Sequence, residues 1–230
     1  MTYLAPKIWV SVDCLVFGYD TNASELKVLL FKREVEPFLG EWSLIGGFVE
    51  EEENLENAAV RILDNFTGLS NVFLEQLQVF GNVNRDPAGR VVSVLYWSLI
   101  KIHDLKKDKA KIHGARWFSL SELPDLILDH KEMVNLGRQE LITDAKLKPI
   151  GFELLPQEFT LPQLKQLYDT IYGGSVDDRN FRKQILKTEL LIKLDKKDKS
   201  SSRKGAFLYK FDSEKYKQLS KEGYHLDLKI

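Results

Sequence analysis

Residues 47–69 (GFVEEEENLENAAVRILDNFTGL) constrain the fold of this 230-residue chain more than any other segment. They overlap an extended run, residues 42–49, that is interrupted by two glycines where the backbone must turn tightly or approach another group closely. Apolar residues then recur at helical spacing through residues 54–65, and Gly68 is placed to end the helix. A strand, a glycine turn and an amphipathic helix are therefore predicted to form one unit.

Further predicted elements in the first half are of both types. Strands rich in β-branched and aromatic residues are predicted at residues 8–18, 27–32, 75–82, 91–102 and 115–118. Helices are predicted at residues 121–128 and 130–147. This mixture predicts an α+β fold with a mixed sheet.

The second half has the layout of a winged helix-turn-helix. Thr160 can cap a helix that ends before the Gly173-Gly174 pair, and Asp177 can cap a second helix that ends near Lys187. A hairpin follows, with strands at 189–194 and 206–211 and a basic tip at 195–204, and a last helix begins at Asp212. We therefore predict a first domain at 1–147, a connecting segment at 148–158 and a DNA-binding domain at 159–230.

Charge is distributed unevenly between the two halves. The formal net charge is −1, yet 17 basic and 24 acidic residues precede Thr160, against 16 basic and 10 acidic residues from Thr160 onward. Such asymmetry indicates an anion-binding module at the basic end, and nucleic acid is the commonest anion. A solvated basic face would also explain it.

Composition excludes several classes of protein. Cys14 is the only cysteine, so neither an internal disulfide framework nor a multi-cysteine metal site is possible. The hydrophobic content of 43% is enough for a packed core, and the longest apolar stretch, residues 91–100, is about half the length of a spanning helix. The amino terminus lacks the pattern of a secretory signal. We expect a soluble, cytoplasmic protein without a membrane partner.

Residues 47–69 resemble the Nudix box, Gly-x5-Glu-x7-Arg-Glu-U-x-Glu-Glu-x-Gly-U, in which U is aliphatic. Six positions are in register: Gly47, Glu53, Arg61, Leu63, Gly68 and Leu69. The three glutamates that hold magnesium in Nudix hydrolases are replaced by Ile62, Asn65 and Phe66. Neither Ile62 nor Phe66 offers an oxygen ligand, and Asp64 lies about 100° around the helix from Asn65. The resemblance implies a Nudix-like α/β/α sandwich, and the missing glutamates predict that this domain has no metal, no cofactor and no catalytic activity.

Residues 154–191 resemble the carboxyl-terminal domain of the Nudix-related transcription regulators. The resemblance rests on Phe159-Thr160-Leu161, Leu167-Tyr168, Asp177 and Arg179-Asn180-Phe181-Arg182-Lys183. Members of that family join a silent Nudix-like domain to a winged helix-turn-helix and bind palindromic operators as dimers. A small molecule in the Nudix domain, such as ADP-ribose or L-arabinose, changes their affinity for DNA. The chain looks closest to the L-arabinose branch.

Candidate effector-binding residues come from three segments: Trp9, Ser11 and Asp13 on one face of the first strand, Trp42, Ser43, Gly46 and Gly47 beside the box, and Asn84 and Arg85 in a later connection. Asp13 in an otherwise apolar strand needs a partner, which is either a structural hydrogen bond or the ligand. The tryptophans and the acidic first half favour a neutral sugar over a nucleotide. The four histidines, His103, His113, His130 and His225, show no metal spacing and are expected on the surface.

Candidate DNA-binding residues lie on the second helix and on the basic tip. The helix offers Arg179, Asn180, Arg182, Lys183 and Lys187, and the tip offers Lys196, Lys197, Lys199, Arg203 and Lys204. Arg and Asn make bidentate contacts to base edges, whereas lysines suit phosphates. An ordinary solvated hairpin is the alternative for the tip.

Four functions remain open on the sequence. The main interpretation is a dimeric repressor of sugar utilisation that binds double-stranded operator DNA and responds to L-arabinose or another sugar or nucleotide-sugar. The alternatives are an ADP-ribose-sensing regulator of NAD metabolism, an active Nudix pyrophosphohydrolase, and an adaptor whose basic end docks on an acidic protein.

Overall fold

The structure is a computed structural model that describes residues 6–69, 72–102, 114–199, 204–224 and 226–229. The chain divides into two compact units, one formed by residues 1–20 and 26–137 and the other by residues 21–25 and 138–230. No helix within the described ranges is long and apolar enough to cross a membrane.

Within the residues that the structure describes, the first unit contains seven strands and two helices. The strands are β1 (Trp9–Asp20), β2 (Glu25–Lys32), β3 (Trp42–Ser43), β4 (Ile45–Phe48), β5 (Glu75–Phe80), β6 (Val91–Lys101) and β7 (Arg116–Ser119). The helices are α1 (Leu55–Thr67) and α2 (His130–Leu147), the second of which continues into the other unit. The strands form a mixed sheet in the order β3-β2-β1-β6-β5, with β4 paired to β1 and β7 paired to β2.

The long central strand β1 presents different residues to its two faces. Val12, Cys14 and Val16 belong to the buried core that α1 covers with Ala58, Ala59, Ile62 and Leu63. Leu15 and Phe17 lie on the opposite face, where α2 packs so closely that a Cβ on its Gly137 would overlap Leu15. Asp13 shares this second face, because side chains alternate along a strand. The sheet therefore separates the α1 core from the side that holds Asp13.

Local sequence explains the bounds of α1. Asn54 caps the helix by accepting a hydrogen bond from the Asn57 backbone N–H, and Gly68 ends it in the left-handed conformation at φ 75°. The predicted helix is confirmed and extends two residues further than expected, to Thr67.

One predicted helix of the first unit is wrong. Residues 121–128 contain turns and extended backbone, and Leu126 bridges to Trp42 next to a hydrogen bond from the Ile127 N–H to the Trp42 carbonyl. Pro124 lies in the middle of this segment, where a helix would lose a hydrogen bond. The segment therefore pairs with β3 instead of forming a helix.

The second unit contains a helix pair followed by a hairpin. Its elements are β8 (Phe159–Thr160), α3 (Leu161–Tyr172), α4 (Asp178–Lys187), β9 (Leu191–Asp198), β10 (Ala206–Phe211) and α5 (Ser213–Lys221). Thr160 and Gln163 form a capping box at the start of α3, and Asp177 caps α4 as predicted. Phe181 and Ile185 of α4 are buried, as expected from their spacing.

The basic tip of the hairpin is shorter than predicted. Strand β9 extends to Asp198, because Lys197 and Asp198 pair with Phe207 and Ala206 of β10. The ammonium groups of Lys193 and Lys197 lie 3.8 and 4.5 Å from the centroid of the Phe207 ring, so these lysines belong to the strand.

The chain segment near the carboxyl terminus joins two helices of the second unit. The Leu226 and Leu228 N–H groups donate to the carbonyls of Leu147 and Lys146 at the end of α2, at 2.9 and 3.1 Å. The carbonyl of Lys229 accepts a hydrogen bond of 2.7 Å from the Asn180 side chain at the start of α4.

The segment 148–158, predicted to connect two domains, contains a short 3₁₀ helix, Phe152–Leu154. Phe152 is buried and stacks on Phe211 of β10, with 4.3 Å between ring centroids. The three-part domain division given above stays a prediction.

Candidate effector and nucleic-acid sites

A pocket opens on the face of the sheet that carries Asp13, with a cavity volume of about 100 Å³. Six of the nine predicted effector-binding residues line it: Ser11, Asp13, Ser43, Gly46, Gly47 and Arg85. Eight further lining residues were not predicted: Phe31, Arg33, Leu44, Phe48, Asp86, Val91, Leu128 and His130. Strands β1, β2, β3, β4 and β6 supply eight of these fourteen residues, and the start of α2 adds His130.

Asp13 lies at the centre of a polar cluster in the pocket wall. Its side chain is largely buried and accepts a 2.6 Å hydrogen bond from the Ser93 hydroxyl. The Arg85 guanidinium and the His130 Nε2 each lie 3.7 Å from one of its oxygens. Pairing of β1 with β4 places Gly46 opposite Asp13, and a Cβ at position 46 would overlap the carboxylate. The structural hydrogen bond weighed in the sequence analysis is therefore present.

Arg85 is held by a second acid, Asp129. Its Nε and Nη2 atoms donate to the two oxygens of Asp129 at 2.9 and 2.7 Å, which is the bidentate geometry. Burial acts to lower the pKa of Arg85, but the hydrogen bonds and charge of Asp129 outweigh it and raise this pKa. Arg85 therefore enters the pocket as a fixed cation.

The expectation that His130 lies on the surface is wrong. The residue is 3% exposed, and its Nδ1 accepts a 3.0 Å hydrogen bond from the Leu44 backbone N–H. The Ser43 hydroxyl, 3.2 Å from the same nitrogen, donates to the Leu44 carbonyl. Because Nδ1 accepts, the neutral ring carries its proton on Nε2, which faces Asp13. The other three histidines lie outside the described residues.

The burial of His130 predicts a pH dependence of stability. Desolvation lowers its pKa, although the carboxylates of Asp13 and Asp129 act in the opposite direction, while Arg85 and Arg33 lower it further. The unfolded chain therefore binds more protons below pH of about 6.5, and the unfolding free energy should fall by up to about 1.4 kcal/mol per pH unit on acidification. His130→Gln, which keeps an acceptor for Leu44, should lose less stability between pH 6.5 and 5 in urea titrations. Equal losses in both proteins would contradict this assignment.

Three predicted effector residues do not line the pocket. Trp42 packs edge-on against Phe118 at 4.7 Å between ring centroids, with the Lys32 ammonium 5.4 Å from its ring. Asn84 is exposed, and Trp9 stands at the mouth of the pocket against Phe48. Arg33, which was not predicted, lines the pocket together with the predicted Arg85.

The positions that replace the Nudix glutamates do not fit a metal. Ile62 is 3% exposed within the α1 core, and the Phe66 ring packs 4.9 Å from that of Phe31. Asn65 is exposed. Mg²⁺ requires oxygen ligands, which the first two side chains lack. Across the part of the chain that the structure describes, no cluster of three His, Cys, Asp or Glu residues could hold a metal ion.

Two residues that match the Nudix box, Glu53 and Arg61, stabilise the loop that precedes α1. Arg61 forms a bidentate pair with Glu53 and also donates to the Phe48 carbonyl at 3.1 Å. The hydrogen bonding between Arg61 and the Glu53 carboxylate lowers the pKa of Glu53 to about 2. Arg61 thus links α1 to the end of β4 and to the loop that holds Glu53, so these two matches to the box have a structural role.

The predicted DNA-binding residues of α4 differ in their availability. Arg179, Arg182, Lys183 and Lys187 are exposed. Asn180 is half-buried, and its amide is bonded to the Lys229 carbonyl. An exposed row of cations therefore follows this helix.

The predicted DNA-binding residues of the hairpin also differ in their availability. Lys199 and Lys204 are exposed, whereas Lys196 pairs with Glu158 at 2.8 Å. Lys197 contacts the Phe207 ring. Arg203 lies outside the described residues.

Comparisons with known protein families cover both units. Residues 7–137 match the NUDIX domain, and residues 151–211 match the NrtR DNA-binding winged helix domain. The chain is 30% identical over 215 residues to the ADPR responsive transcriptional repressor NtrR of Acinetobacter baylyi, covering 92% of this chain and 85% of the relative. The chain belongs to the NrtR-type family of Nudix-related regulators.

Two further relatives extend the comparison. The crystal structure of the NrtR of Shewanella oneidensis with a 27mer DNA matches at a TM-score of 0.75 and 31% identity, covering 88% of this chain and 93% of that one. An ADP-ribose pyrophosphatase of Methanocaldococcus jannaschii is 39% identical over 133 residues, which is 57% of this chain and 73% of the relative. The predicted α+β architecture, a Nudix-like mixed sheet followed by a winged helix domain, is confirmed.

The NrtR-type assignment corrects the finer expectation from the sequence. Neither the L-arabinose branch nor a link to carbohydrate metabolism is supported, since two of the three relatives described are named for ADP-ribose and none for a sugar. The expectation of a sugar site assumed that Trp9 and Trp42 line the pocket, and that the acidic first half offers few cations to a phosphate. Trp42 packs elsewhere, and Arg33 and Arg85 line the pocket. Arg33 directly follows β2, and no candidate residues were taken from that strand or from the loop after it.

Proposed function

We propose that this chain is an ADP-ribose-responsive transcriptional repressor whose Nudix-like domain binds the effector without cleaving it. The single observation that carries the proposal is a pocket with two arginines in a domain whose glutamate positions hold Ile62 and Phe66. A pocket of this composition can recognise an anionic ligand. A helix that presents apolar groups at the metal positions cannot activate water through magnesium.

The proposal for ADP-ribose rests on charge and on the relatives. Arg33 and Arg85 line the pocket beside Asp13 and Asp86, and a diphosphate needs cations of this kind. Because Arg85 is already paired with Asp129, we propose that the phosphates lie against Arg33. The Arg33 Nε donates to the Pro37 carbonyl at 3.0 Å, which orients its guanidinium. Two relatives of this chain carry ADP-ribose in their names. A volume of about 100 Å³ is below the roughly 300–1,000 Å³ that encloses a drug-sized ligand, so the nucleotide must extend beyond the pocket.

The second unit is proposed to bind palindromic operator DNA, with two copies of the chain on one operator. The exposed cations of α4 and of the hairpin support it, and so does the similarity to an NrtR that was crystallised with DNA. ADP-ribose would release the operator only if it binds the DNA-free state better, because equal affinity for both states shifts no equilibrium.

A working pyrophosphohydrolase is the second candidate function. The 39% identity to the Methanocaldococcus jannaschii ADP-ribose pyrophosphatase favours it. The buried Ile62 and the packed Phe66 argue against it.

One experiment separates these functions. ADP-ribose at one hundred times its Kd should raise the unfolding free energy by about 2.7 kcal/mol, seen as an increase in Tm. The same samples, incubated with MgCl₂ and ADP-ribose, should yield no AMP or ribose 5-phosphate by chromatography. Neutral pentoses, including L-arabinose, should leave Tm unchanged. Turnover at ordinary enzyme rates, or a response to the pentose alone, would overturn the proposal.

A further inference from the structure

Two exposed aromatic residues stand at the mouth of the pocket. Trp9 is 53% exposed and Phe48 is 56% exposed, and their rings meet edge-to-face at 5.7 Å between centroids and 66° between planes. Phe48 itself lines the pocket, so this aromatic pair is continuous with it. We use "aromatic pair" below for Trp9 and Phe48.

Strand register explains why the pair adjoins the polar cluster. Trp9, Ser11 and Asp13 alternate along β1 and share the face that forms the pocket. Phe48 of β4 pairs with Ser11, and directly opposed residues lie on the same face of a sheet. The face therefore runs from the carboxylate of Asp13, past the arginine Arg85, to the two rings.

The exposure of these rings is unusual for such large apolar groups. Adjacent exposed aromatic side chains beside a pocket are typical of ligand-binding surfaces. The ring of Trp9 is kept close to the backbone of Gly89, where an added Cβ would lie 3.1 Å from the indole Cζ3. Gly89 and Phe48 thus both lie against the Trp9 ring, while about half of this residue remains exposed.

We propose that the aromatic pair is the subsite for the purine base of the effector. This inference rests on the proposed function, which places the phosphates near the arginines. Because the pocket is too small for a whole nucleotide, the base must lie outside it, and the aromatic pair is an exposed aromatic surface that adjoins the pocket. Stacking on an aromatic face suits any base and requires no hydrogen-bond partner. A second copy of the chain on the same surface is the competing occupant.

The subsite is tested with ligands that differ in the base alone. Trp9→Ala and Phe48→Ala should each weaken ADP-ribose binding about tenfold in calorimetric titrations. Their affinity for ribose 5-phosphate, which has no base, should stay within twofold of the unaltered protein. Trp9→Phe should restore most of the lost affinity because a π-face returns. Phe73→Ala is the matched control, since Phe73 is an aromatic residue 80% exposed elsewhere in the unit.

Each other outcome decides the question. Equal losses for both ligands, or no loss for either, would overturn the base subsite. Conversion of a dimer to a monomer by Trp9→Ala in sedimentation would also overturn it and assign the pair to contact between copies. If the unaltered protein binds no ADP-ribose, the proposed function fails, and AMP replaces it as the probe. AMP affinity that depends on Trp9 would support the subsite, and absence of AMP binding would overturn it.

Discussion

Raising the salt concentration from 50 to 200 mM is expected to weaken the binding of this chain to a palindromic operator about 10³- to 10⁵-fold. The reason is counterion release: each lysine or arginine that neutralises a phosphate frees a condensed cation, and six to ten such contacts give a loss of about this size. Two copies that each present Lys183, Lys187, Lys199 and Lys204 supply enough exposed cations. Fluorescence anisotropy with a labelled duplex measures the affinity at each salt concentration.

Single substitutions locate the responsible surface. Lys183→Ala should reduce the slope of log affinity against log salt by about one for each copy bound. Lys131→Ala is the matched control, because Lys131 is an exposed lysine in the first turn of α2, on the first unit. An affinity that changes less than tenfold over the salt range, or equal slopes for both variants, would refute DNA binding through α4.

Ile62→Glu, which restores one glutamate of the Nudix box, is expected to lower the unfolding free energy by about 3–5 kcal/mol. Ile62 is 3% exposed and packs among Val12, Cys14 and Ala59 in the α1 core, where a carboxylate has no partner. Urea unfolding monitored by circular dichroism measures the change. Because burial raises the pKa of a carboxyl group, part of the loss should be recovered when the pH is lowered from 7 to 5.

The neighbouring position supplies the control. Asn65→Glu adds the same charge at an exposed site on α1 and should change stability by no more than about 0.5 kcal/mol. Similar losses for both substitutions would mean that Ile62 is not the core residue described. A stable Ile62→Glu protein that hydrolyses ADP-ribose would show that the apolar residue alone blocks the reaction.

Local signals in the sequence predicted much of this fold. The bounds of α2 and β10, the capping residues Thr160 and Asp177, and the end of α1 at Gly68 follow from side chains that act within a few residues of themselves. The residues 121–128 were predicted wrongly because their pairing with Trp42 joins positions that are distant in the chain. Helical spacing could not reveal that partner.

The candidate site was harder to predict, for the same reason. Ser11 and Asp13 could be predicted because side chains alternate along the first strand, and Gly46 because it lies beside the Nudix-like segment. His130 is separated from Ser43 by 87 residues and contacts it only in the folded chain. Asp129 joins Arg85 across 44 residues. Such long-range pairs carry no periodic signal, although the adjacent Asp129-His130 at the start of a predicted helix could have raised attention.

The close approach of β4 to Asp13 limits how a biosensor could be made from this chain. A library that randomises the binding face should leave Gly46 unchanged, because every other amino acid would push into the carboxylate. Variation is better directed to Phe48, Val91 and Leu128, which border the cavity on its apolar sides. New analytes would then be selected by shape, while the inner polar wall keeps its arrangement.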